Sequence, residues 1–345
     1  MFSLLRLSAL AALLSCGINL PVSASLPTAG QFAEQQLRHI ATWFPGRMAG
    51  SPAELLTADY LQQQFVEMGY QSDKRDFKTK APWRDHSGKT HWRNVTATSV
   101  IAAHAGKVPQ EILVVAHLDT WRPLSEEETE KDIGGLRLQG VDDNASGLGV
   151  MLELAQQLSH KPLHYGVRFV ALSAHQSDLH GVDAYIARMK ATERKNTLLV
   201  IDLDSLIVGD RLYFNSGKNT ASAVIKQTRD RALDIAHRYG ISAATRPLNS
   251  AALPGPNDAF DAAGFPLLSV RAANWTLGKK DGSQQRAASR HFPQGTSHHQ
   301  TERDNLTYLD RWLPGRISAR TRDSVRILLP LISELANPPS ARKEA

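Results

Sequence analysis

Three short apolar runs in this chain end in imidazole or carboxylate side chains, and a polar turn between the first two adds a further pair of acids. EILVVA, residues 111 to 116, leads into His117-Leu118-Asp119; the turn GVDDNASG carries Asp142 and Asp143; VRFVALSA leads into His175-Gln176; and TLLVIDLD closes on Asp202 and Asp204. A further pair, His298-His299, ends the polar stretch that begins at Gly278. Imidazole nitrogens and carboxylate oxygens arriving from separate segments are the donor set of zinc, which takes such ligands at about 2 Å. Asp119, two residues beyond His117, is suited to accept the second imidazole N–H and fix the ring's tautomer. A serine hydrolase would want a Gly-x-Ser-x-Gly elbow. Ser146 has Asn144 and Leu148 where the two glycines belong, so that chemistry is set aside.

What positions such residues must be a set of strands sharing one end. EILVVAH, VRFVALSA, TLLVIDLD and PLLSVRA from Pro266 are short, apolar and rich in β-branched residues, the mark of buried strands. Between and around them, GLGVMLELAQQLSH from Gly147, HGVDAYIARMKATERKN from His180 and ASAVIKQTRDRALDIAHRYG from Ala221 repeat their apolar residues at three and four, as helices do. PAELLTADYLQQQFVEMGY from Pro52 and SARTRDSVRILLPLISELA from Ser318 add outer helices. The alternation predicts a single α/β domain, its mainly parallel sheet covered by helices on both faces. In such sheets ligands gather at the carboxyl ends of the strands, where the acids and imidazoles stand.

The first segment is outside that domain. One early cation, Arg6, precedes an apolar run from Leu7 to about Leu20, and Val22-Ser23-Ala24 suits cleavage before Ser25. This reads as an export signal over residues 1–24, leaving 25–345 as the domain; the apolar run is broken by Gly17, Asn19 and Pro21 and is too short for a stable membrane span. Cys16 is the only cysteine, so the domain has no disulfide although an exported protein is free to form them. The 40 Lys and Arg residues against 34 Asp and Glu give a formal charge of +6. That charge is spread along the chain without aromatic-interleaved basic clusters, which argues against nucleic acid.

The stretches VVAHLDT, GVDDNASGLGVMLELA, VRFVALSA and VIDLDSLIVGD, with GRMAGSPAELLTADYLQQQFVEMGY upstream, resemble the co-catalytic zinc aminopeptidase family, the zinc exopeptidases. The resemblance covers nearly all of residues 25–345 and implies the zinc-exopeptidase fold, removal of amino-terminal residues from peptides or proteins, and two zinc ions. It makes Asp143, fourth residue of the Gly-x-x-Asp turn that starts at Gly140, the carboxylate bridging both ions. His117 and Asp204 complete one site; His299, with His298 the weaker choice, belongs to the other. KNTLLVIDLDSLIVGD, LYFNSG, TRDRALDIA and LPGRI resemble an exported bacterial branch of that family, which implies a periplasmic or secreted location and alkaline phosphatase among the expected protein partners.

The resemblance also marks two departures. The family's second-site glutamate ligand falls at Gln176, and its glutamate general base falls at His175. An amide contributes a dipole where a carboxylate would contribute a charge, so one tight and one weak zinc ion are expected. Two outcomes remain open: His175 serves as the proton acceptor, or the chain is an impaired pseudopeptidase that keeps the fold and binds one zinc or a peptide. An exported solute-binding protein is a remoter alternative. LSEEETEKD from Leu124 packs five acids between the His117 and Asp143 segments, and such a rim would favour an α-ammonium group and a basic first residue.

Overall fold

The apolar runs form the middle of an eight-stranded mixed sheet. The computed structural model describes residues 28–121, 123–131, 135–177, 180–246, 258–278, 290–292 and 303–339. Its strands are β1 (Gln71–Arg84), β2 (Thr90–His104), β3 (Val108–His117), β4 (Tyr165–Leu172), β5 (Thr197–Leu203), β6 (Arg211–Ser216), β7 (Ala243–Ala244) and β8 (Leu267–Ala273), in the spatial order β1-β2-β4-β3-β5-β8-β6-β7. β4, β3, β5 and β8 run parallel at the centre. β2 pairs antiparallel with both β1 and β4, and β6 antiparallel with β8 and parallel with β7. The central strands are apolar on both faces because both faces are covered.

The helices are α1 (Gln31–Trp43), α2 (Pro52–Glu67), α3 (Glu126–Lys131), α4 (Ser146–Leu158), α5 (His180–Arg188), α6 (Ala191–Asn196), α7 (Ser222–Ile225), α8 (Arg231–Arg238), α9 (Asp258–Ala262), α10 (Leu306–Trp312) and α11 (Arg316–Ala336). Ile112, Val114 and Ala116 of β3 face one core with Leu37 of α1, Phe65 of α2, Leu148 of α4, Ile235 of α8 and Leu328 of α11. Leu113 and Val115 face the other, with Val182 and Ile186 of α5 and Phe260 of α9. This alternation along β3 is the period of two that a strand imposes. Phe65 and Phe169 stack at 5.9 Å in the first core, where truncation of either ring to alanine would cost about 3–5 kcal/mol.

α4 is the central helix: eleven of its thirteen residues are buried, so it packs on all sides and not along one stripe. Its one acid faces α1. α1 starts at Gly30 without a side-chain cap of its own, and the Glu153 carboxylate accepts the backbone N–H groups of Gly30 (2.8 Å) and Ala33 (2.7 Å) in its place. A carboxylate at a helix amino terminus satisfies donors that the helix leaves unpaired.

Two helical expectations need correction. The segment from His180 divides into α5 and α6, because Lys190 takes extended backbone and its N–H is capped by Glu193 at 2.8 Å, which starts a new helix. The segment from Ala221 is interrupted by a π-helical turn, Lys226–Asp230, between α7 and α8. The long hairpin of β1 and β2 is not among the expected strands: its one apolar run, residues 100–103, is short, and its outer half is largely exposed, so burial leaves little alternation to read there. No helix among the described residues is long and apolar enough to cross a membrane. Residues 1–27, which include the expected signal segment, lie outside the described residues.

Register decides what meets at the carboxyl edge of the sheet. His117 at the end of β3 pairs with Leu172 at the end of β4, and Val115 pairs with Asp202 of β5. The residues that follow, Ser173 to Gln176 and Leu203 to Ser205, therefore emerge beside His117.

Candidate metal centre

The turn from Gly140 to Ser146 is tied to its surroundings at almost every polar atom. Asp304 accepts the backbone N–H groups of Asp142 (2.7 Å) and Asp143 (3.0 Å). The Asp142 carboxylate accepts Ile207 N–H at 2.7 Å, and the Ser146 hydroxyl accepts Leu206 N–H at 3.0 Å while donating to the Asp142 carbonyl. Asn144 donates to the Leu203 carbonyl (2.8 Å) and accepts from Gly147 N–H (3.0 Å). The Asp143-Asn144 peptide is cis. Gly140 sits at φ 53°, and a Cβ there would lie 2.6 Å from the Asp143 carbonyl oxygen, so the turn admits only glycine at its start.

This frame delivers Asp143 to His117 and Asp204. Potential ligand atoms of the three lie within 4.8 Å of one another, all three side chains are buried, and among the described residues they form the one such group of His, Cys, Asp or Glu. His117 Nε2 is 2.9 Å from Asp143 Oδ1 and 3.7 Å from Asp204 Oδ1. His117 Nδ1 lies 2.9 Å from the backbone carbonyl of Asp119. It is this carbonyl that can take the second ring N–H; the Asp119 carboxylate, expected in that role, is 3.6 Å away. That carboxylate instead accepts the backbone N–H groups of His175 (3.1 Å) and Gln176 (2.9 Å). With Nδ1 as the donor, Nε2 of a neutral ring presents a lone pair to two carboxylates, an arrangement that needs a cation between them. Burial alone would depress the His117 imidazolium, yet the carboxylates of Asp119, Asp143 and Asp204 outweigh it and hold the ring's pKa well above its usual range. The donor set and the demand for positive charge both fit zinc.

His175 and Gln176 reach the same cluster from β4. The His175 ring stacks on His117 with centroids 4.1 Å apart and planes 6° from parallel, and its buried Nδ1 has no hydrogen-bond partner among the described residues. Burial, and then the neighbouring His117, push its pKa down to about 4, so this imidazole is neutral. Gln176 Nε2 donates to both carboxylate oxygens of Asp143, each at 3.2 Å. The described non-glycine residues with positive φ are Ala174 (56°) and Ser205 (52°), immediately before His175 and immediately after Asp204. Left-handed backbone at non-glycine positions is sparsely populated and gathers at functional sites. His298 and His299 lie outside the described residues.

Four residues at the centre escape a reading of strand ends. Arg47 is fully buried and spends its guanidinium on the carbonyls of Phe44, Leu118, Gln139 and Gly140, joining the loops after β3 and before Asp143; burial pulls its pKa down to about 10. Asp304 is pushed up to about 8 by burial and by the nearby Asp142. Glu54 accepts Thr98 N–H (2.9 Å), Gly50 N–H (2.6 Å) and the Ser173 hydroxyl, and so props the end of β4 from below. Arg271 of β8 donates to Asp204. Two of these left a signal. Ser51-x-x-Glu54 has the spacing of a capping box, although here Ser51 caps Glu54 N–H while Glu54 accepts Gly50 N–H, and Arg271 is the lone charge inside PLLSVRA. The acidic stretch from Leu124 forms the exposed helix α3, whose Glu126 meets His86 at 3.2 Å and whose Glu127 pairs with Lys131 at 2.7 Å.

A sheet whose carboxyl edge gathers His117, Asp143 and Asp204 is the architecture of zinc exopeptidases, and the comparisons agree. Residues 99–325 match the model of peptidase family M28, and the chain belongs to that family of hydrolases. It is 54% identical over 342 residues to the alkaline phosphatase isozyme conversion protein of Escherichia coli (strain K12), covering 97% of this chain and 99% of that one. A zinc aminopeptidase from Bacillus subtilis has the same fold, with TM-score 0.66, 13% identity and coverage of 90% and 96% of the two chains. So has a glutaminyl cyclase from Fimbriiglobus ruber, with TM-score 0.62, 18% identity and coverage of 90% and 96%.

Proposed function

We propose that this protein is an exported zinc-dependent aminopeptidase, with residues 1–24 as the signal segment and 25–345 as one catalytic domain, acting on the amino termini of peptides or proteins. The observation that carries this reading is the buried His117, Asp143 and Asp204 group, in which one imidazole nitrogen faces two carboxylates. These three residues would hold a tight zinc ion; Gln176 and His299 would hold a weaker second one, because an amide replaces the carboxylate. Zinc in such a site polarises a carbonyl and brings the pKa of its bound water to about 7. His175, unpartnered at Nδ1, is the side chain placed to accept a proton, and the burial that pushes its pKa down to about 4 makes it a weak base. The Asp119 carboxylate holds the backbone on which His175 and Gln176 stand.

α3 supports a preference for basic first residues, since three successive glutamates, 126 to 128, form its exposed first turn. Alkaline phosphatase is proposed as a protein partner because a relative of 54% identity is named for the conversion of its isozymes. Nucleic acid and stable membrane insertion form no part of this reading.

A second reading is favoured by Gln176 and His175 themselves. An amide bonded to both oxygens of Asp143, beside an imidazole stacked on His117, also suits a pseudopeptidase that binds zinc or a peptide without turnover. A metal count on the purified protein, joined to hydrolysis assays on arginyl, lysyl and leucyl substrates, separates the two. Bound zinc with hydrolysis supports the enzyme, bound zinc without it supports the pseudopeptidase, and no zinc under saturating conditions overturns the enzyme and leaves only a pseudopeptidase that binds a peptide.

A further inference from the structure

We infer that Arg271 is a positioning residue that sets the charge of the metal centre: it restrains Asp204 to one oxygen turned toward the cluster and weakens that site's hold on its zinc ion. The inference rests on the zinc reading above and extends it to a residue outside the ligand set.

Arg271 stands on β8, opposite Tyr213 of β6, and its strand adjoins β5, the strand that leads to Asp204. Its guanidinium Nη2 donates to Asp204 Oδ2, while Oδ1 of the same carboxylate faces His117 Nε2 at 3.7 Å and accepts the Ser205 hydroxyl at 2.8 Å. The carboxylate is thus divided: one oxygen is committed to a cation of the protein, the other is turned toward the cluster. Bidentate use of Asp204 by a metal would require Arg271 to withdraw, and Arg271 is mostly buried, with a quarter of its side chain exposed. Asp143, Asp142 and Asp202 add to the field that holds the guanidinium there.

Charge makes the consequence concrete. The described ligand positions supply two carboxylates, Asp143 and Asp204, and Arg271 offsets one of them. Gln176 adds no charge and fills both oxygens of Asp143 with N–H donors. At the ligand positions that leaves one net negative charge against the two positive charges of a divalent ion, in a buried site where screening is weak, so removing the Arg271 charge strengthens the hold on zinc.

The test is zinc affinity, read by competition with a chromophoric chelator, in the parent, Arg271→Gln and Arg271→Lys. Circular dichroism and thermal melts report folding. Arg271→Gln should tighten zinc about tenfold or more, and Arg271→Lys, which keeps the charge, should stay near the parent. Arg271→Gln combined with Gln176→Glu should take up a second equivalent more readily than Gln176→Glu alone. A folded Arg271→Gln that binds zinc no more tightly than the parent overturns the inference and leaves the zinc reading standing. No zinc binding in any form overturns both, whereas binding by Arg271→Gln but not by the parent supports the inference. If Arg271→Gln does not fold without metal, the measurement becomes recovery of the folded dichroism spectrum on adding zinc. Recovery supports the inference and its absence overturns it.

Discussion

The side-chain amide of Gln176 bridges the carboxylate of Asp143, its nitrogen 3.2 Å from each oxygen. The two N–H groups are donors aimed at oxygens that a metal would otherwise share. Gln176→Glu turns this attraction into repulsion between two buried carboxylates, and only a cation relieves it. The variant should melt lower than the parent in chelator and gain more from added zinc than the parent does. Calorimetric titration with melting curves at both metal levels checks this, and equal zinc gains in the two proteins would count against a ligand role for position 176.

His175→Glu with Gln176→Glu should raise aminopeptidase turnover, because a positioned carboxylate base is typically worth about 10² to 10⁴ in rate. Rates on aminoacyl substrates for the parent, both single variants and the double variant decide it. A folded, zinc-loaded double variant no faster than the parent would show that position 175 is not where the base stands. A parent whose robust activity is lost in His175→Ala and not supported by His175→Glu would identify His175 as an adapted base in its own right.

Removing Arg47 takes away the donor that serves the carbonyls of Phe44, Leu118 and Gln139, and one of two donors to that of Gly140, which keeps Ala145 N–H. Arg47→Met should therefore destabilise the fold by roughly 3–5 kcal/mol, the range for breaking a buried charged network, and weaken zinc binding by loosening the Gly140 turn. Urea unfolding with and without zinc measures both effects. A variant as stable as the parent would mean that the loops on either side hold without it.

Glu54 gives stability a pH dependence of unusual sign. Burial pushes its pKa up to about 7 from an ordinary value near 4.5, so between these values the folded protein keeps a proton that the unfolded chain has released. Stability from this group is therefore full below about pH 4.5 and declines as pH rises through 7, by up to about 3 kcal/mol. Glu54→Gln removes the slope at a constant cost of about 1 kcal/mol for the Gly50 N–H left unpaired. Unfolding free energies of both proteins at pH 5 and pH 8 test this. The parent's advantage at pH 5 should shrink or reverse at pH 8, and a constant gap between the two would contradict the assignment.

The central parallel strands and the convergence of His117, Asp143, Asp204, His175 and Gln176 were legible because buried parallel strands are continuous apolar runs and their ends are marked by abrupt polarity. The division at Lys190 was not, since Glu193 caps a backbone N–H only once the turn exists. The β1–β2 hairpin was hidden for the opposite reason: its exposed half is free of the burial that writes alternation into a sequence. Asp119 shows a finer limit. Its proximity to His117 was evident, but whether the carbonyl or the carboxylate meets the ring depends on backbone direction after the strand end, which two residues of sequence do not encode.

The bonds from Asp119 to the N–H groups of His175 and Gln176 have a consequence for how such a protein changes over generations. The path of the main chain there is held by a neighbour through backbone N–H groups, which are present whatever side chains stand at 175 and 176. Either residue can therefore be exchanged without moving the frame that carries it. A change of chemistry at these two positions thus asks for new side chains and leaves in place the backbone bonds that carry them.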